Sequence, residues 1–400
     1  MFGAKFLQWT LKLYRLMKKH SPVLLLPAVM ISPYTAPLAP FAVCAQLLYG
    51  LLKGQKAGLK DSMLFYPYSF LAASSFLGAI FHRDYRSLLA TLYILLPYLL
   101  FGLTLDTRLT AKNSLKLLKF LVFFSFPLGL FGLYQKIALP MDQGRVMATF
   151  SNVNYYAYYL ETVLLLSVGL YPSLEKGERS FLFIVTAFNV LNLFFSGSRT
   201  ALIAVVIGYL VYLSIGRRYR CLLYSLFLAA FASVLLIKYS NCFLRSESLL
   251  EDLAERWELW VWTVSALGSN PWIGRGFLSF RQYAYRQSYS LSHSHNLFLN
   301  IWFEFGFLGL LVLPLLLAFI IRSLRKMTSS PYRELMHSLA SVFITTLIHG
   351  LVDIPFVGVQ TSLIFLMLLS IYLTIYRETC QKKYQEDDSR HLLDKNRPLP

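Results

Sequence analysis

The sequence predicts an all-α, polytopic integral membrane protein with about 12 transmembrane helices and one long extracytoplasmic loop. Three observations carry that expectation. The first is composition: of 400 residues, 56% are hydrophobic and 14% charged, whereas soluble domains hold roughly 45–50% apolar and about 25% charged residues. So few charges cannot cover a water-facing surface, which excludes a soluble enzyme, a secreted disulfide scaffold and a disordered chain. The second is the recurrence of apolar runs near the ~20 residues needed to cross hydrocarbon. The third is the placement of the 38 basic residues behind the net charge of +18.

The runs lie at roughly 22–34, 36–52, 62–81, 86–104, 115–135, 152–171, 180–197, 200–216, 220–238, 296–321, 334–354 and 357–376. The first two are short and broken by Pro22, Pro27, Pro33, Pro37 and Pro40, so on length alone they make two spans or one. Charge decides for two. With the N-terminus inside, the inner segments hold Lys12, Arg15, Lys18 and Lys19, then Lys53, Lys56 and Lys60, then Arg108, Lys112, Lys116 and Lys119. They continue with Lys176 and Arg179, with Arg217, Arg218 and Arg220, and with Arg322, Arg325, Lys326 and Arg333. This is the positive-inside asymmetry of a twelve-span chain with both termini inside, and eleven spans would scramble it. The charge is therefore mostly a topology signal, with attraction to anionic membrane lipid following from it and nucleic-acid binding excluded. No cleavable signal is expected at the N-terminus, and residues 377–400 read as a solvated, disordered tail. The four cysteines, Cys44, Cys221, Cys242 and Cys380, share no oxidising compartment, so no disulfide is expected.

The stretch 239–294 is the one long hydrophilic segment, and the topology puts it outside. Leu249, Leu250, Leu253, Trp257, Trp260 and Val264 recur at helical spacing, as in an amphipathic helix lying along the outer membrane surface. Pro271, Gly274 and Gly276 then break the pattern. Outer helix ends and loops also collect Arg145, Arg199, Arg256, His293, His295 and Asp353. Arginine on the outer face runs against the orientation bias, and its guanidinium fork suits phosphate oxygens. Histidine exchanges protons near neutral pH. Each residue also has a plain structural reading: a snorkelling interfacial arginine for Arg199, a loop residue for Arg145, the polar face of a surface helix for Arg256, a helix cap for His293. Glu161 and Glu304 fall within spans, where a carboxylate either serves function or pins helix packing. His349 and Asp353, at i, i+4 spacing, allow Asp353 to do no more than orient His349.

The run HNLFLNIWFEFGFLG, from His295 and Asn296 to Gly306 and Gly309, closely resembles the signature of the bacterial O-antigen ligase and polymerase superfamily. GRVMATFSNVNYYAYYL around Arg145, SGSRTALIA around Arg199, RWELWVWTVSALGSNPWIGRGFLSF from Arg256 to Gly276 and HGLVDIP at Asp353 follow in family order. The resemblance implies a generic N-terminal membrane region over 1–140, a ligase-like catalytic membrane region over 141–376 and a cytoplasmic tail over 377–400. It implies an inverting, metal-independent glycosyltransferase of the cytoplasmic membrane, with its active site on the outer face and no cofactor. The donor would be a glycan on undecaprenyl diphosphate, and the acceptor a hydroxyl of another glycan or lipid-linked saccharide. Catalysis would fall to His295, Arg199 and Arg256, and substrate binding to Arg145, His293, Asn296, Asp353 and Glu304. Ligase and repeat-unit polymerase share these motifs. A twelve-span transporter or flippase is the competing class, and it should carry its charges near the midplane. Reporter fusions test the topology: a fusion after position 265 is expected to read external and one after position 328 internal, and the reverse result would remove the outer site.

Overall fold

A computed structural model describes residues 25–55, 58–139, 144–226, 228, 249–268, 271–287, 291–355 and 357–395. The basic N-terminal segment, Lys56, Cys242 and most of the expected span 220–238 lie outside these residues. Among the described residues the chain is helical, with no strand. The named helices are α1 Leu26–Ile31, α2 Leu38–Leu52, α3 Phe65–Phe81, α4 Tyr85–Arg108, α5 Ala111–Ala138, α6 Val153–Leu170 and α7 Lys176–Ser196. They continue with α8 Arg199–Ile215, α9 Leu249–Leu267, α10 Ser279–Arg286, α11 Leu297–Leu310, α12 Val312–Lys326, α13 Arg333–His349 and α14 Val359–Lys395.

Four of the described helices (α4, α5, α7 and the first part of α14) are long and apolar enough to cross a bilayer, or five if the bent pair α11–α12 counts as one span. Twelve such helices are not present among them, and the reasons are physical. Pro33 and Pro37 leave α1 and α2 short. α6 packs on α5, α7, α8 and α13 and is buried along nearly its whole length. Its Glu161, Thr162 and Ser167 therefore face protein rather than lipid, which lowers its hydropathy without exposing polar atoms to hydrocarbon. α13, equally buried, carries Ser338, Ser341, Thr345 and Thr346 into the same interior. Ser341 donates to the Gly208 carbonyl and Ser338 to that of Leu165, hydrogen bonds that join helices directly.

Polar contacts sort by helix end. At one end Lys119 pairs with Glu178 (2.6 Å), Arg218 with Glu334 (2.7 Å) and Arg377 with Asp106 (3.3 Å). At the other, Arg199 pairs with Asp252, and the loops around Arg145, His295 and Asp353 meet. That segregation matches alternate up-and-down passage of neighbouring helices. α14 departs from the sequence reading, because it stays helical to Lys395 where a disordered tail is expected from 377. Arg377 on Asp106, and Glu378 accepting from the Ala111 N–H at 2.9 Å, tie the start of that extension to the bundle.

The expected span 296–321 is a broken one. α11 and α12 meet at 64°, and Gly306, inside α11, has φ +75°. The interruption frees backbone groups, and residues 271–276 take them up: Arg275 N–H donates to Phe303 O and Gly276 N–H to Glu304 O, both at 2.9 Å. Phe307 N–H donates to Pro271 O in return, as does the Trp302 indole. The two backbones approach so closely that a Cβ at Gly274 would collide with the Glu304 carbonyl, and one at Gly306 with that of Trp272. Gly306 of the signature and Gly274 of the 271–276 segment thus let the two backbones dock at the kink. Gly274→Ala is expected to lower the thermal midpoint of the purified protein by several degrees, by the loss of a forced contact of ~2 kcal/mol. A midpoint equal to wild type in a fluorescence melt would contradict this.

Candidate active site

Three segments converge on Asp353. The first is the start of α6, where Asn152 caps the helix through its side chain and leaves Asn154 to turn outward. Asn154 Nδ2 donates to Asp353 Oδ2 at 2.9 Å. The second is the approach to α11, where Asn296 is the N-cap, its Oδ1 accepting from Leu299 N–H. Its Nδ2 holds the Leu351 carbonyl, and Leu297 N–H donates to Gly350 O at 2.7 Å. These bonds clamp His295 at φ +50°, a left-handed conformation that a residue with a Cβ adopts only when its surroundings impose it. The third segment is the turn after α13, which carries Asp353 itself.

His295 Nδ1 lies 3.2 Å from Asp353 Oδ1, which also accepts from the Ile354 N–H at 2.8 Å. Asp353 is 4% exposed. Burial alone would raise its pKa. The hydrogen bond from His295 and the neighbouring His293 imidazole, with the charges of His295 and His349, outweigh it and hold the carboxyl well below its ordinary range. His293 Nε2 stands 3.7 Å from the same oxygen, while its Nδ1 meets Ser292 Oγ at 2.6 Å. The donor atoms of His293, His295 and Asp353 lie within 4.8 Å of one another, so the cluster has the composition of a small cation site. Each of the three side chains already has a protein partner in this arrangement.

Around the cluster stand the arginines. Arg145 donates from Nε to Ser196 O (2.8 Å) and from Nη2 to Asn154 Oδ1 (3.0 Å), extending the network Arg145–Asn154–Asp353–His295. Arg199, the first residue of α8, pairs with Asp252 of α9 at 2.7 Å. Arg256, one turn further along α9, donates to the Val352 carbonyl at 2.6 Å. Two adjoining cavities share Asn154, Asp252 and Arg256. One, of about 420 Å³, is lined by all three arginines and by Ile203, Ala204 and Ile207 of α8. The other, of about 510 Å³, is bounded by Glu255, Glu258, Trp262 and His295. α9 roofs both, and its Leu253, Trp257, Val261 and Val264 form an exposed apolar stripe, as expected of a helix at a membrane surface.

The structure thus gathers Arg145, Arg199, Arg256, His293, His295 and Asp353. Two expected ligands stand apart. Asn296 is spent on capping α11 and holding Leu351. Glu304 is buried, accepts from the backbone N–H groups of Leu278 and Phe280 at the start of α10, and lines neither cavity. The pairing of Asp353 with His349 also fails: the helix ends at His349, whose Nδ1 instead meets Glu161 Oε2 at 2.7 Å. Two residues escaped the sequence reading. Asn154 had a signal, since one helix start needs one cap and Asn152 already supplies it. Asp252 had none beyond being an acid on the expected surface helix.

Residues 182–314 match a family described as O-antigen ligase. The matched stretch includes Arg199, Arg256 and the signature run from His295 to Gly309. No curated protein matches the chain.

Asp353→Asn should unfold more easily than wild type. A carboxylate held well below its ordinary range stabilises the fold at any pH above the unfolded value, ~3.9. That advantage is lost as pH falls through the depressed folded value. The gap in thermal midpoint between wild type and Asp353→Asn is therefore expected to be steady from pH 7 to about pH 5 and to close only in stronger acid. A gap that closes near pH 6 would assign it to the histidines instead.

Proposed function

We propose, from the match of residues 182–314 to a family described as O-antigen ligase, that the chain transfers a glycan from undecaprenyl diphosphate to an acceptor hydroxyl at the outer face of the cytoplasmic membrane. Lipid-linked glycans are the general substrates of the family, and an integral membrane enzyme of O-antigen ligase or polymerase type is what the match and the apolar helices support. The carrying observation is the His295–Asp353 pair at the edge of one cavity, with Arg256 shared between that cavity and its arginine-lined neighbour.

In this reading the arginine-lined cavity takes the donor. Arg145, Arg199 and Arg256 meet the diphosphate, and Ile203 and Ile207, each one turn deeper along α8, continue the wall in apolar side chains suited to a prenyl tail. The second cavity takes the acceptor, with Trp262 as a stacking face and Glu255 and Glu258 as hydroxyl partners. Asp353 accepts the His295 Nδ1–H and so fixes the tautomer with Nε2 as base. The acceptor oxygen attacks the anomeric carbon while its proton passes to Nε2. The bond from that carbon to the diphosphate oxygen breaks, and the lipid diphosphate leaves with the electron pair. The arginines stabilise the charge developing on it. Attack opposite the leaving group inverts the anomeric configuration. Since the sugar–diphosphate bond already holds the driving force, neither nucleotide nor metal is required.

A transporter would hold its charges near the membrane midplane, whereas the arginines and His295 stand at helix ends. The acceptor distinguishes the remaining readings: a ligase delivers its glycan to a lipid-A core sugar, and a polymerase delivers the growing chain to another lipid-linked repeat. His295→Ala and Arg199→Ala are expected to cut transfer by at least ~10²-fold while leaving the protein inserted; normal product with both variants would sink the assignment. Deletion followed by sizing of surface glycan separates the two readings. Loss of a ligase leaves long chains on undecaprenyl diphosphate, and loss of a polymerase leaves single repeats.

A further inference from the structure

The transfer described above makes no use of Glu161 and His349, although the pair adjoins it. Both side chains are 1% exposed. Glu161 stands midway along α6 and His349 closes α13, two helices packed in the bundle centre. Their contact, Nδ1 to Oε2 at 2.7 Å, would serve as an interhelical staple if nothing else were near. His349 is also part of the wall of the arginine-lined cavity. With Nδ1 taken, Nε2 is the remaining polar atom of the ring, and among the described residues no group bonds it. An imidazole fixed on one nitrogen by a buried carboxylate and bare on the other is built to present that second nitrogen to a ligand.

We infer that His349, oriented by Glu161, is a diphosphate-binding group at the floor of the arginine-lined cavity, donating its Nε2–H to a phosphate oxygen below Arg145, Arg199 and Arg256. This rests on the reading of that cavity as the donor site. The three arginines reach the cavity from the loop before α6, from the start of α8 and from α9, all at the outer end. His349 reaches the same cavity from a fourth element, α13, and so adds a donor to the three guanidinium groups. The carboxylate partner keeps the pair near neutral overall, so a binding group is placed deep in the bundle without an isolated buried charge. Glu161 is then a positioning residue, acting through His349.

The test measures binding of undecaprenyl diphosphate and of undecaprenyl monophosphate to the full-length protein in nanodiscs. The double variant Glu161→Leu/His349→Phe removes both members of the pair and so avoids an orphaned carboxylate. The milder Glu161→Gln/His349→Leu serves the same comparison should the first fail to fold. A folded double variant is expected to lose about tenfold or more in affinity for the diphosphate, the usual scale for one charge-assisted hydrogen bond, while its affinity for the monophosphate changes little. His349→Gln, whose amide Nε2 can still donate, is expected to keep most of the affinity. In transfer assays the double variant should raise KM for the donor more than it lowers kcat. Diphosphate affinity within twofold of wild type in a folded double variant would overturn the inference and leave the donor site standing. Failure of the wild-type protein to bind either lipid would overturn the donor-site reading and this inference with it.

Discussion

The cluster around His295 depends on one buried carboxylate. Asp353 accepts hydrogen bonds from the Asn154 amide, from His295 and from the Ile354 backbone, with His293 close to the same oxygen. Removing an ionised group from water costs several kcal/mol unless such partners are in place together. The start of α6, the approach to α11 and the turn after α13 must therefore all be seated before Asp353 is stable. The same bonds aim the groups proposed for chemistry: Asn154 passes the constraint to Arg145, and His295 is turned so that one nitrogen faces the carboxylate. Stability and geometry here are one interaction seen twice.

The opposite end of the bundle supplies a rigid base for that assembly. Lys119–Glu178, Arg218–Glu334 and Arg377–Asp106 pin neighbouring helices at the face rich in basic residues. Between the two ends, the hydroxyls of Ser338 and Ser341 on α13 donate to backbone carbonyls of α6 and α8, so the central helices carry polar side chains without exposing them to lipid. The docking of 271–276 into the kink at Gly306 then fixes the far end of the outer segment. α9, joined to this anchor by a short link and held by Arg199–Asp252 and Arg256–Val352, is thereby kept over both cavities. Of its exposed apolar stripe, Leu253 borders the arginine-lined cavity, while Trp257, Val261 and Val264 line neither.

Much of the site could be read from the chain because the chemistry needs side chains that are out of place otherwise. Arginines at outer ends oppose the orientation bias, and histidines beside a helix start stand out against an apolar background. Arg145, Arg199, Arg256, His293, His295 and Asp353 were visible on those grounds, and they do converge. Partner choice was not visible. The i, i+4 spacing of His349 and Asp353 holds for a continuous helix, but α13 stops at His349 and the next turns swing Asp353 toward His295. Asn296 and Glu304 carry the right atoms for substrate contact yet are used up by backbone N–H groups at helix starts. Asn154 matters because of where α6 begins relative to α13, a distance no spacing rule contains.

The sequence by itself determined the membrane solvent and the all-helical class, and its basic residues set the expectation of sidedness. Apolar content and basic placement act through the bilayer, residue by residue, and need no knowledge of neighbours. It also determined where the backbone must break, through the glycines and prolines that restrict each local conformation. Only the tertiary structure decided which carboxylate serves which histidine, that Gly306 and Gly274 seat residues 271–276 in a helix kink, and that two cavities meet at Arg256. These are contacts between segments far apart in the chain, set by how helices pack, and packing depends on the shapes of all the side chains at once.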